Sequence, residues 1–178
     1  MSNVLEKFSL TGRTAVVTGG AGLLGNQFSR ALGQAGASVV LADIDLAAAH
    51  ETAQELRDEG IEVLPAGVDI TDPDSVSRLV DDVVTALGRL DILVNSAALD
   101  PKFNPKNLPN QSANAFETFP LQTWKKALDV NLTGTFLMCQ GAARQMLKQD
   151  YGVIINICST YGLVGPDQRL YERQEGPK

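Results

Sequence analysis

The stretch Thr14–Gly25, TAVVTGGAGLLG, carries the residues whose types and spacing most directly imply chemistry. A β-branched run, Thr14–Thr18, is followed by Gly19, Gly20, Gly22 and Gly25, and an apolar helical pattern opens at Leu23. Gly20, Gly22 and Gly25 satisfy G-x-G-x-x-G, and a strand before and a helix after are the setting in which that spacing cradles the pyrophosphate of a dinucleotide. The glycines permit a tight turn, a bare backbone against the phosphates and close packing of helix on strand. The helix start adds free N–H groups and the positive end of the helix dipole. Plain turns also use glycine triplets, so the weight rests on that setting. Asp43 ends the next strand pattern eighteen residues past Gly25, where a carboxylate accepts the adenosine ribose hydroxyls and repels a 2′-phosphate. Ile44 follows, and the glycine loop has neither Lys nor Arg, so NAD is expected over NADP. The alternative for Asp43 is a turn cap, a task that Asp45 could perform instead.

The elements that would hold these residues alternate as βαβ units do. Strands are expected at Thr14–Thr18, Ser38–Asp43, Glu62–Gly67, Ile92–Asn95 and Gly152–Ser159, and helices at Leu23–Ala35, Leu46–Glu59, Ser75–Leu87 and, in two joined segments, Leu121–Gln149. Leu24, Phe28, Ala31, Leu32 and Ala35 have helical spacing and predict the sheet-facing stripe of the first helix. Val76, Leu79, Val80, Val83 and Leu87 do the same for the third. The expectation is an α/β fold, a doubly wound, mostly parallel sheet of the Rossmann type with strand order 3-2-1-4-5. Residues 1–178 form one domain of this kind. The long proline-bearing link from Leu99 to Phe119 is of a length that is usually functional or disordered.

Composition narrows the classes. With 44% hydrophobic and 20% charged residues the chain reads as an ordinary soluble globular protein. A net charge of −6 without a basic stripe argues against nucleic acid as a partner. No apolar run spans a bilayer and the first residues lack a secretory core, so no membrane partner and a cytoplasmic location are expected. Cys139 and Cys158 read as reduced core residues, and one histidine, His50, on a polar helix face makes a metal site improbable.

Five segments, taken in order, resemble the short-chain dehydrogenases/reductases along the whole chain: TGGAGLLG at Thr18–Gly25, Asp69-Ile70 after the third strand, NSAA at Asn95–Ala98, Asn131 in DVNLTGTF, and INICS at Ile155–Ser159. The resemblance implies a cofactor site built from Thr18, Gly19, Gly20, Gly22, Leu23, Leu24 and Gly25, with Asp43 and Ile44 at the ribose. It implies that Asp69 and Ile70 hold the adenine, and that Asn95, Ser96, Ala97 and Ala98 line the groove. It also implies that Asn131 positions a water in a proton relay and that Ser159 hydrogen-bonds the reacting hydroxyl or carbonyl. Asp69 as a helix cap, Asn131 as a kink stabiliser and Ser159 as a turn residue are the alternatives. The single-domain branch usually has T-G-x-x-x-G-x-G, and Leu23 replaces its middle glycine. The spacing of Gly19, Gly22 and Gly25 is instead that of the extended branch acting on nucleotide sugars. DVN and Asp69-Ile70 favour the single-domain branch, while the long link and the tail resemble members linked with flagellin-modification and sugar-acid pathways.

The family's reaction needs a Tyr followed four residues later by a Lys, whose cation lowers a phenol pKa otherwise near about 10. No Tyr of this sequence has that partner: Tyr171 lies twelve residues after Ser159, but Glu175 takes the lysine position. The pair is therefore expected beyond Lys178, and Val153, Ile155 and Ile157 on the last strand call for further strands to cover them. Alone, the 178 residues are expected to be catalytically inactive and poorly soluble. The parent is read as an NAD-dependent oxidoreductase acting on a small alcohol or ketone, sugar derivatives included, and as a homodimer or homotetramer. The competing readings are a nucleotide-sugar epimerase or dehydratase and a non-catalytic dinucleotide-binding protein. Lys102, Lys106, Arg169 and Arg173 could meet an anionic group on the substrate, or simply be solvated.

Overall fold

The computed structural model describes residues 4–100, 117 and 119–164. Residues 101–116 and 118 of the long link, with Lys102 and Lys106, and the tail from residue 165, with Arg169, Tyr171, Arg173 and Glu175, lie outside the described residues. Five strands form one all-parallel sheet: β1 (Thr14–Thr18), β2 (Ser38–Asp43), β3 (Val63–Gly67), β4 (Ile92–Asn95) and β5 (Val153–Asn156), in the order β3-β2-β1-β4-β5. This is the expected Rossmann order. Pro65, which cannot donate to a ladder, sits on the edge strand β3 opposite Leu41.

The central strands are buried on both faces, as a sheet sandwiched between helix layers requires. One layer holds α1 (Leu23–Gln34) and α2 (Leu46–Asp58); Ala15, Val17, Val39, Leu41 and Leu56 form its core. The other holds α3 (Pro73–Leu87) and α5 (Thr135–Lys148), packed over Val16, Val40, Leu93, Met138 and Ala142. Asp45 and Asp72 cap α2 and α3, accepting the N–H groups of Ala48 and Asp74. Helix α4 (Leu121–Leu128) runs into α5 through a π turn over Asp129–Gly134, so the two joined segments expected from sequence are one interrupted helix.

Three expectations need correction. The buried face of α1 is carried by Gly25 and Ser29, with Phe28 and Leu32 partly covered, while Leu24 and Ala31 are exposed. At its first turn the helix lies so close to the glycine loop that Gly25 has no room for a side chain. Strand β5 stops at Asn156, because β4 ends at its register partner Asn95 and offers nothing further to pair with. Cys158 therefore lies beyond the strand and is exposed, and Cys139 is only half-buried, so neither is a core residue in full.

Val153 and Ile155 on β5 and Ile157 just beyond it are each more than 40% exposed, the alternating apolar face read from sequence. Leu121, Trp124, Leu128, Leu132 and Phe136 form a second exposed apolar row along α4, the π turn and α5. No helix among the described residues is long and apolar enough to cross a membrane.

Asp150, which follows α5, has φ +53°, the one positive-φ residue other than glycine among those described. Asp150→Gly removes a left-handed penalty and is expected to stabilise the fold by about 0.5 kcal/mol, net of the glycine's greater freedom when unfolded. A lowered chemical-denaturation midpoint would contradict this.

Candidate cofactor and active site

The strand order places the sequence-predicted residues along one rim of the sheet. Asp69 follows β3, Asp43 ends β2, the glycine loop follows β1, Asn95–Ala98 follow β4, and Ser159 follows β5. All lie at the carboxyl ends of the strands. The strand order reverses between β1 and β4, the point at which open α/β sheets bind ligands.

Two glycines carry the backbone demand of the loop. Gly19 has φ +64°, and a Cβ on it would lie 2.7 Å from the Ala97 Cα. A Cβ on Gly25 would overlap the Gly19 carbonyl oxygen and come within 2.8 Å of the Gly20 Cα. Leu23 opens the helix with a side chain 84% exposed, which is why a side chain is tolerated where the single-domain branch has glycine. Gly22 is the extended residue preceding α1, and its N–H donates to the Gly19 carbonyl at 3.0 Å. Thr18, fully buried, accepts the N–H groups of Ser96 and Ala97 through its Oγ1, each at 3.2 Å. One hydroxyl thus ties the loop after β4 to the end of β1.

Asp43 is half-buried, with its carboxylate facing the loop. It accepts the Ala21 N–H and the Asp45 N–H, both at 3.1 Å. Asp45 caps α2, while Asp43 both caps the turn after β2 and braces the glycine loop, its carboxylate oxygens retaining further lone pairs. Ile44 beside it is 76% exposed. Asp69 is exposed; the Thr71 hydroxyl at 2.7 Å and the Thr71 N–H at 2.9 Å hold its carboxyl below the usual carboxylate range. The cap of α3 is Asp72, not Asp69. Ile70 is buried in the core with its side chain against Gly134, which leaves its backbone as the part able to meet a base.

Asn131 lies in the π turn. Its side chain accepts the Leu99 N–H at 2.7 Å and donates to the Leu99 carbonyl at 3.0 Å. Its amide is thus committed to tying the helix to the link after β4, and a part in a relay would fall to its backbone. Ser159 is exposed, and its carbonyl accepts the Gly162 N–H of a short 3₁₀ turn. Ala98 is exposed at the rim, and Leu24 is half-exposed. Sequence reading missed Cys139 and Asn156, whose side chains meet that of Asn95 behind the rim. The polar Asn156 inside an apolar strand was the available signal. Among the described residues no group of three or more His, Cys, Asp or Glu could hold a metal ion.

Comparisons with known proteins agree with the fold. The D-threitol dehydrogenase of Mycolicibacterium smegmatis is 34% identical over 92% of this chain and 58% of its own length. The structure of an NAD+-bound xylitol dehydrogenase superposes with a TM-score of 0.78 at 29% identity, covering 88% of this chain and 56% of that one. The structure of a gluconate 5-dehydrogenase from Burkholderia cenocepacia, in complex with NADP and tartrate, superposes with a TM-score of 0.81 at 31% identity, covering 92% and 60%. The chain spans 53–61% of the length of the curated relatives it matches. A family model described as short chain dehydrogenase matches residues 13–171, so the chain belongs to the short chain dehydrogenase family.

Proposed function

We propose that this chain forms the dinucleotide-binding part of an NAD-dependent oxidoreductase acting on a secondary alcohol or ketone of a small polyol or sugar acid. The observation that carries the cofactor choice is Asp43. Its carboxylate stands at the end of β2, one residue from an exposed Ile44 and braced against the glycine loop. A ribose diol can donate to it; a 2′-phosphate is repelled. When bound, the nicotinamide supplies the hydride chemistry, and the protein supplies placement. Thr18, Gly19, Gly20, Gly22, Leu23, Leu24 and Gly25 form the cradle, Asp43 and Ile44 the ribose contact, and Asp69 with the Ile70 backbone the adenine contact. Asn95, Ser96, Ala97 and Ala98 line the nicotinamide side, where Ser159 orients the reacting oxygen.

The polyol and sugar-acid class rests on the relatives and structural neighbours, among them a threitol dehydrogenase, a xylitol dehydrogenase and a 5-keto-D-gluconate 5-reductase of Escherichia coli. The proton-transferring Tyr and Lys are, in this reading, supplied from outside these 178 residues. Self-association is proposed through the exposed apolar row from Leu121 to Phe136.

Asp43→Ala is expected to weaken NADH binding by about tenfold or more, through the lost ribose bonds and the loosened Ala21 brace. Titration of the 178-residue chain with NADH and NADPH checks this. An unchanged NADH affinity, or tighter binding of NADPH by the wild type, would sink the NAD assignment.

A further inference from the structure

Two polar side chains with no part in the cofactor reading so far, those of Cys139 and Asn156, meet that of Asn95 directly behind the rim. Asn95 ends β4, Asn156 ends β5, and Cys139 projects from α5. The Asn95 amide nitrogen donates to Asn156 Oδ1 at 2.8 Å and to Cys139 Sγ at 3.3 Å, and the Cys139 thiol reaches Asn156 Oδ1 at 3.5 Å. Asn95 is 5% exposed, and its own Oδ1 meets no donor among the described residues. The surrounding layer between α5 and the sheet is otherwise apolar, with Met138, Ala142 and Leu93 fully buried. Of the three only Asn95 is buried, Cys139 being half-buried and Asn156 exposed; a buried amide left incompletely satisfied stabilises less than apolar packing would, so its use has to be sought elsewhere.

Its position supplies one. Asn95 immediately precedes Ser96 and Ala97, the residues held by Thr18. The Ile157 N–H donates to the Asn95 carbonyl at 3.1 Å, and Ser159 follows two residues later. The cluster therefore joins the roots of the two segments that flank the nicotinamide side, and ties both to α5. Asp43 and Asp69 lie across β1, on the adenosine side.

We infer that Asn156 and Cys139 are positioning residues: acting through Asn95, they hold the Ser96–Ala98 and Ser159 segments at the separation that receives the nicotinamide end of the cofactor. The inference rests on the dinucleotide reading above. It makes a claim that a merely structural role does not: loosening the cluster penalises the nicotinamide half of the ligand and spares the adenosine half.

The test uses the full 178-residue chain, with NADH and ADP as separate probes and a thermal melt for each variant. Cys139→Ala and Asn156→Ala are expected to weaken NADH binding about three- to tenfold, the loss of one net hydrogen bond, with ADP affinity held within about twofold. Cys139→Ser, which restores a donor and acceptor, is expected to recover NADH affinity. Should Asn156→Ala fail to fold, the Cys139→Ala and Cys139→Ser pair decides. Unchanged NADH affinity in Cys139→Ala, no recovery in Cys139→Ser, or parallel weakening of NADH and ADP would overturn the inference. A folded wild-type chain that binds neither nucleotide rejects the dinucleotide reading itself, a result visible before any variant is made.

Discussion

Asp91→Ala is expected to destabilise the fold by about 1–3 kcal/mol, the range for leaving a buried donor without its acceptor. Asp91 begins the segment leading into β4, and its side chain is fully buried. Arg89 grips it through two bonds of 2.6 Å, Arg13 reaches it at 3.0 Å, and the buried Thr14 N–H donates at 2.9 Å. Arg13 in turn stacks 3.9 Å above the Tyr151 ring. One carboxylate thus joins β1, the start of β4 and the start of β5 at the end of the sheet opposite the site. Both arginines keep partial contact with water; the stranded group after truncation is the Thr14 N–H. Burial pushes the Asp91 carboxyl up, but the bonds from Arg89, Thr14 and Arg13 outweigh it and hold it below the ordinary carboxylate range. A depressed folded-state pKa gives stability that is present above the unfolded value, about 4, and lost as pH falls through the folded one. Chemical denaturation at neutral pH and across the acid limb checks both points. Wild type should lose stability below about pH 4, and Asp91→Asn should show a shallower acid limb. Equal stability of wild type and Asp91→Ala at pH 7 would contradict the account.

Gly25→Val is expected to abolish dinucleotide binding and to lower the melting temperature, because the obstacle is backbone. The added Cβ meets the Gly19 carbonyl and the Gly20 Cα, and neither can rotate away. Moving α1 off β1 to make room would open the cradle and uncover Ser29, which is fully buried on the same helix. Overpacking a well-packed site costs about 1–3 kcal/mol, and a β-branched side chain set against backbone belongs at the upper end. Gly22→Ala is the control. Its Cβ would stand 3.2 Å from the Gly19 carbonyl, a tight contact rather than an overlap, so its loss of affinity should be distinctly smaller. Comparable NADH affinity in Gly25→Val and wild type would show that the loop is a structural turn rather than a phosphate cradle.

The parts of this fold that local chemistry dictates were legible in the sequence. Strand, glycine turn and helix follow one another at Thr14–Gly25, Asp72 caps α3, and the apolar spacing of Val76, Leu79, Val80 and Val83 marks its buried face. The rule that ligands sit at the carboxyl ends of parallel strands then gathered the candidate residues in order. What stayed hidden depends on long-range contacts. The close approach of Gly25 to Gly19 turns α1 so that Ser29 faces the sheet and Leu24 faces solvent, which periodicity alone cannot foresee. Ile70 is drawn inward because Gly134 leaves room for it. Asn131 spends its amide on Leu99, thirty-two residues away in sequence. Cys139 and Asn156 gain meaning only when β4, β5 and α5 meet.

Titration of the purified, folded 178-residue chain with NADH, with NADPH in parallel, tests the central claim most directly. The account predicts saturable NADH binding, with a dissociation constant in about the micromolar to millimolar range and displaced by NAD+, weaker binding of NADPH, and loss of both in Gly25→Val. A chain that is folded by circular dichroism yet binds neither nucleotide would contradict the claim that this rim of the sheet is a dinucleotide site.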